Sequence, residues 1–75
     1  MILCDKNGNS IFEITEVKVD NFHIYGPYRV INSAIFNKLV SMVEKEVDQI
    51  LFNGSNEYDF LVPPSDGEID IRIKP

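Results

Sequence analysis

A chain of 75 residues has room for one domain, spanning 1–75, and none for a second core. Its 44% hydrophobic and 25% charged composition is that of a folding globular chain, which argues against disorder. The net charge of −5 disfavours direct nucleic-acid or anionic-lipid binding, which is driven by neutralising phosphates, and makes a basic protein surface the better electrostatic partner.

A domain of this size buries only about 60% of the surface its unfolded chain exposes, so roughly 4–11 kcal/mol of stability is expected. No apolar stretch approaches the roughly 20 residues of a membrane span, and residues 1–4 lack a basic secretory start. A cytoplasmic protein that makes no membrane contact is the expectation. Cys4 is the one cysteine, which leaves no internal disulfide and no zinc set; a buried, inert thiol is expected. Ala34 is the one alanine while Ile, Asn and Lys are heavily used, a bias that points to an AT-rich genome rather than to a function.

Residues 1–4 form an apolar run that leads through Asp5-Lys6-Asn7-Gly8-Asn9-Ser10 into a β-branched run over 11–19. Asn7-Gly8 between such runs predicts a hairpin whose two central residues take positive φ. Phe12 and Ile14 share one face of the second run while Val17 and Val19 share the other, which predicts a bulge or strong twist near Thr15 and Glu16. Asp20-Asn21 reads as the next turn. Phe22-His23-Ile24-Tyr25 then alternates into a third strand that ends at Gly26-Pro27.

From 33 to 52 the period becomes helical: Ile35, Phe36, Leu39, Val40, Val43, Val47, Ile50 and Leu51 fall on one arc. Asn32 or Ser33 is placed to cap its start, and Asn53-Gly54 to end it in a left-handed stop. Glu44 and Asp48 stand where the helix dipole prefers cations. Glu46 projects to the edge of the apolar arc, from which its carboxylate has to snorkel to water. A fourth strand is predicted over 58–62, closed by Pro63-Pro64-Ser65-Asp66-Gly67. A fifth over 68–74 has Ile69, Ile71 and Ile73 alternating with Asp70, Arg72 and Lys74.

The expected fold is therefore α+β, in the order β-β-β-α-β-β: a mostly antiparallel five-stranded sheet or small open barrel with one amphipathic helix packed on it. Leu3, Val17, Val19 and Leu61 fall in the opposite phase from Phe12, Ile24 and Phe60. Either the sheet curls enough to bury both sets, or a second copy or a partner covers the spare face.

Residues 5–16 place oxygen donors at positions 1, 3, 5, 9 and 12 of a calcium loop, and in this the segment resembles an EF-hand loop. It departs from that pattern at Ser10, where a glycine makes the sharp turn, and four preceding residues leave no entering helix. An Asn-Gly hairpin is the preferred reading. Asp66, Glu68 and Asp70 gather carboxylates that turn chemistry and a wet strand face explain equally well. His23, the single histidine, has no carboxylate partner at a local spacing and reads as a surface residue beside Tyr25. No nucleophile–base triad and no phosphate-binding glycine loop stands in the chain, so a non-enzyme without cofactor or metal is expected. Asn53-Gly54-Ser55 fits a glycosylation acceptor, which has no consequence in a cytoplasmic setting.

Two sets of residues stand as candidate contacts. Tyr25, Tyr28 and Arg29 surround Gly26-Pro27 and are of types enriched at interface hot spots, although Tyr28 also suits closing the core over the helix start. Glu44, Asp48, Glu57 and Asp59 form either a negative patch for a basic surface or a solvated face. The expected function is an acidic protein-binding module that docks on a larger protein with a basic surface. One concrete version is a phage or mobile-element inhibitor of a bacterial defence nuclease or other nucleic-acid-binding machine. The alternatives are a homo-oligomeric building block, as a homodimer, and a small-ligand or metal binder.

Overall fold

The computed structural model describes residues 1–74 in backbone and, apart from residues 61–63, in side chain. Seven strands and one helix follow in the order β1 (Ile2–Cys4), β2 (Ser10–Ile14), β3 (Lys18–Asp20), β4 (His23–Val30), α1 (Ser33–Glu44), β5 (Gln49–Asn53), β6 (Asn56–Ser65) and β7 (Glu68–Ile73). The fold is α+β with antiparallel pairing throughout. The strands run β2-β1-β5-β6-β7-β4-β3, and β2 also pairs with β4. That extra pairing closes a ring of six strands, so the sheet is more fully curled than an open barrel. The seam is thin: β1 meets β5 at the single pair Cys4↔Phe52, supported by Asn53 Nδ2 donating to Ile2 O at 2.8 Å.

The structure has two strands more than the five expected, for physical reasons. The run over 11–19 is broken at Thr15-Glu16-Val17 into β2 and β3, which pair with the two halves of β4 in turn. This is the bulge that the phase change predicts. It also returns Val19 to the face of its partner Ile24, although Val19 extends past the rim and stays exposed. β4 does not stop at Gly26-Pro27 but runs through them to Val30.

The second miscount is the helix, which ends eight residues earlier than its period predicts. Val47 N–H donates to Met42 O at 3.0 Å and Glu46 N–H to Val43 O at 2.9 Å, the two bonds of a Schellman stop. Glu46 occupies the left-handed position at φ 62°, so it terminates the helix rather than lying along it. Beyond it, Gln49–Asn53 pairs with β6 across the two-residue turn Gly54-Ser55. Asn53-Gly54 is thus a hairpin signal, and Gly54 takes φ 61°. At the other end Asn32 is the cap, its Oδ1 accepting from Ile35 N–H at 3.1 Å.

The remaining turns follow local chemistry. In the β1–β2 loop Gly8 N–H donates to Asp5 O, and Gly8 alone takes positive φ (84°), so the hairpin holds with a longer loop than an Asn-Gly two-residue turn. β6 extends to Ser65, and Asp66-Gly67 (φ 53° and 73°) makes the tight connection to β7.

One inner face carries the core. Leu3, Phe12, Ile14, Ile24, Leu51, Phe60, Ile69 and Ile71 are buried on it, and α1 covers it with Phe36, Leu39 and Val43. Leu3 lies directly opposite Phe12, so it shares that face rather than opposing it. The rings of Phe36 and Phe60 stand 5.7 and 6.1 Å from Phe12, edge-on and tilted, which knits helix to sheet. Val17 and Val19 are exposed, and the expectation for Leu61 lies outside the described side chains. Cys4 is half-buried, with Sγ 3.9 Å from Ser10 Oγ.

Candidate functional site

The Tyr25, Tyr28 and Arg29 cluster is divided by the pleat of β4, because neighbouring side chains on a strand point to opposite faces. Tyr28 turns inward, its ring stacked on Phe36 at 5.6 Å and 21°. Tyr25 lies outward with the Lys18 ammonium 5.8 Å from its ring centre. Arg29 is exposed and pairs with Glu13 of β2 at 2.9 Å. Tyr28 is therefore part of the core margin, and only Tyr25 and Arg29 are presented outward.

The outer face of β3, β4, β7 and β6 carries a cross-strand ladder of charge. Lys18 reaches Glu68 at 3.1 Å, His23 Nδ1 lies 2.9 Å from Asp70 Oδ1, and Arg72 lies 3.4 Å from Asp59. The Glu68 carboxylate raises the Lys18 ammonium above its ordinary value through a hydrogen bond and its charge. His23 gains the carboxylate that no local spacing supplied, because β4–β7 pairing sets Tyr25 opposite Asp70. Asp59 is thereby engaged and mostly covered, while Glu57 remains exposed on the same strand.

Glu44 and Asp48 stand elsewhere, at the end of α1 and in its connection to β5. Here the surface is concave. A cleft of about 580 Å³ opens where β5 diverges from the β1–β2 hairpin beneath α1. Ile11, Ile35, Leu39, Met42, Ile50 and Leu51 supply apolar lining, and Asp5, Lys6, Lys38 and Asp48 supply charge of both signs. A smaller recess of about 210 Å³ shares Asp48 and adds Glu46, Val47 and Phe60. The four acidic candidates thus part: Asp48 lines both hollows, Glu44 at the end of α1 lines neither, and Glu57 and Asp59 lie on β6.

The Asp5 side of the cleft is internally satisfied. Its carboxylate accepts from the backbone N–H of Asn7 and Asn9 and from Asn9 Nδ2, at 2.9–3.0 Å. Those bonds, the Asn9 amide first, hold its carboxyl below the ordinary value. With Ser10–Ile14 in a strand and Glu13 paired to Arg29, residues 5–16 do not wrap around a cation as an EF-hand loop does. Among the described residues no group of three His, Cys, Asp or Glu side chains converges to hold a metal ion. No helix among them is long and apolar enough to cross a membrane.

Ile35 and Leu39 belong to the apolar arc legible in the sequence, and Met42 does not; that this side of α1 walls a cleft was not legible either, because the opposite wall, β5, carries the same helical period. Comparison with known proteins gives no match to a family model, a curated protein or a solved structure.

Proposed function

We propose that this protein is a non-enzymatic binding module that docks on a larger protein through the cleft between α1 and β5. The observation that supports it is the pairing of an apolar floor with an acidic end, where Glu46 and Asp48 rim the recess that adjoins the cleft. Such a surface suits a segment with an apolar anchor followed by Lys or Arg: the floor removes the anchor from water, and the carboxylates select the flanking charge. The net charge of −5 favours encounter with a basic surface on the same partner. A narrower form of the proposal is an inhibitor that occupies the basic groove of a nucleic-acid-binding machine, using Glu44, Asp48 and Glu57.

Panning a random-peptide library against the protein tests this reading. Selected peptides are expected to carry an apolar residue beside Lys or Arg, and to bind about tenfold more weakly to Ile50→Lys and Asp48→Lys variants. Both positions are exposed, so the substitutions spare the core. Selected peptides that bind both variants as they bind the wild type would remove the cleft from consideration.

A further inference from the structure

β3 ends the sheet with an open edge, paired to β4 on one side and to no other strand among the described residues. The connection from Asp20 to His23 is a two-residue hairpin loop, Asn21-Phe22. Such a loop closes on a hydrogen-bonded position, so hydrogen-bonding alternates as Asp20, then Lys18, along the inner side of β3. Val19 is the intervening residue, and its N–H and C=O point outward along the free edge.

We infer that this edge is a self-association site, at which β3 pairs antiparallel with β3 of a second copy about a two-fold axis through Val19. The sequence Lys18-Val19-Asp20 is complementary to itself when reversed. With Val19 opposite Val19 of the second copy, each Lys18 faces an Asp20, on the same side of the extended sheet, and the two valines exchange both backbone hydrogen bonds. Any other register loses that match. On the opposite side stands Val19, 64% exposed, and the adjoining turn carries Phe22, 68% exposed; these are the two most exposed large hydrophobic residues described. Pairing covers Val19 and brings the exposed Phe22 of each copy beside the junction. Lysine on an edge strand usually guards it against pairing, but here the Lys18 ammonium, 3.1 Å from Glu68 on the outer face, stands on the side where the Asp20 of the second copy adds a further carboxylate, so its charge is matched rather than left to repel. A three-residue strand makes a small contact, so the dimer is weak and concentration-dependent.

Sedimentation equilibrium from micromolar to millimolar protein tests the inference through charge exchange at the edge. Wild-type protein is expected to rise toward twice the monomer mass. Lys18→Asp sets four acids at the junction and Asp20→Lys four bases, so each alone is expected to dimerise at least about tenfold more weakly. An equimolar mixture of the two is expected to recover association, because each then supplies what the other lacks. Val19→Pro removes the outward N–H without touching a β3–β4 hydrogen bond, and is expected to stay monomeric while keeping a wild-type circular dichroism spectrum. A wild type that is monomeric throughout overturns the inference. So does a mixture no more associated than its components, or association that survives Val19→Pro, which places the contact elsewhere.

Discussion

Glu16 and Gly26 meet backbone to backbone: a Cβ on Gly26 would overlap the Glu16 carbonyl oxygen and come within 3.3 Å of Ile14 Cγ2. This approach lies where the long second strand breaks into β2 and β3, and it lets β4 pass both halves without interruption. Gly26 also takes φ 150°, which a side chain rarely adopts. Gly26→Ala is therefore expected to destabilise by more than the roughly 1–3 kcal/mol of a strained φ alone. Urea denaturation of the variant measures it; a midpoint within error of wild type would mean that the two backbones separate without penalty.

Glu46→Gly distinguishes the Schellman stop from a helix continuing to Phe52 by the sign of its effect. In the left-handed position at φ 62°, glycine relieves a strain of about 1 kcal/mol, and the variant is expected to be more stable than wild type. In a helix interior the same change costs about 1 kcal/mol. Thermal melting of the pair reports which sign holds.

Tyr25 and Tyr28, three residues apart, are expected to respond oppositely to truncation. Tyr28→Ala removes the ring stacked at 5.6 Å on Phe36 and is expected to cost about 1–3 kcal/mol. Tyr25→Ala alters an outward side chain and is expected to stay within about 0.5 kcal/mol of wild type. Chemical denaturation of both variants checks the contrast, and equal losses would contradict the facing assigned to β4.

The pH dependence has two limbs with known signs. Asp5 has its carboxyl pKa depressed by the Asn9 and Asn7 hydrogen bonds, so the stability it adds is complete above the ordinary value of 3.8 and is lost as pH falls through its lowered folded value. Lys18 is raised by Glu68, so its contribution is complete below 10.5 and is lost as pH rises through the elevated folded value. Melting midpoints are expected to fall at both extremes. The difference between wild type and Asp5→Ala closes on the acid side, and that between wild type and Lys18→Met on the alkaline side.

Local patterning made much of this fold legible. Ile69, Ile71 and Ile73 alternate with Asp70, Arg72 and Lys74, and β7 forms as that pattern predicts. The Asn32 cap and the apolar stripe through Phe36, Leu39 and Val43 located α1. The phase change at Thr15-Glu16 located the strand break. Each of these signals is carried by residues within one or two turns of chain, where periodicity and capping chemistry act directly.

The failures arise where two local descriptions compete. Ile50 and Leu51 fit the helical arc, and as apolar residues they also fit a strand; pairing Leu51 with Tyr58 across Gly54-Ser55 decides for the strand. The candidate site went with them, since one wall of the cleft is the segment so misassigned.

By itself, then, the sequence determined a small acidic α+β chain, its main helix face, the connections at Asn7-Gly8 and Asp66-Gly67 and its inward isoleucines, because these depend on spacing and on the conformational preferences of single residues. Only the tertiary structure decided that six strands close into a ring, that Tyr25 and Tyr28 part company, that His23 meets Asp70, and that β3 keeps a free edge. Those are matters of register between distant segments, settled by which pairing buries the most apolar surface while satisfying every backbone group it covers.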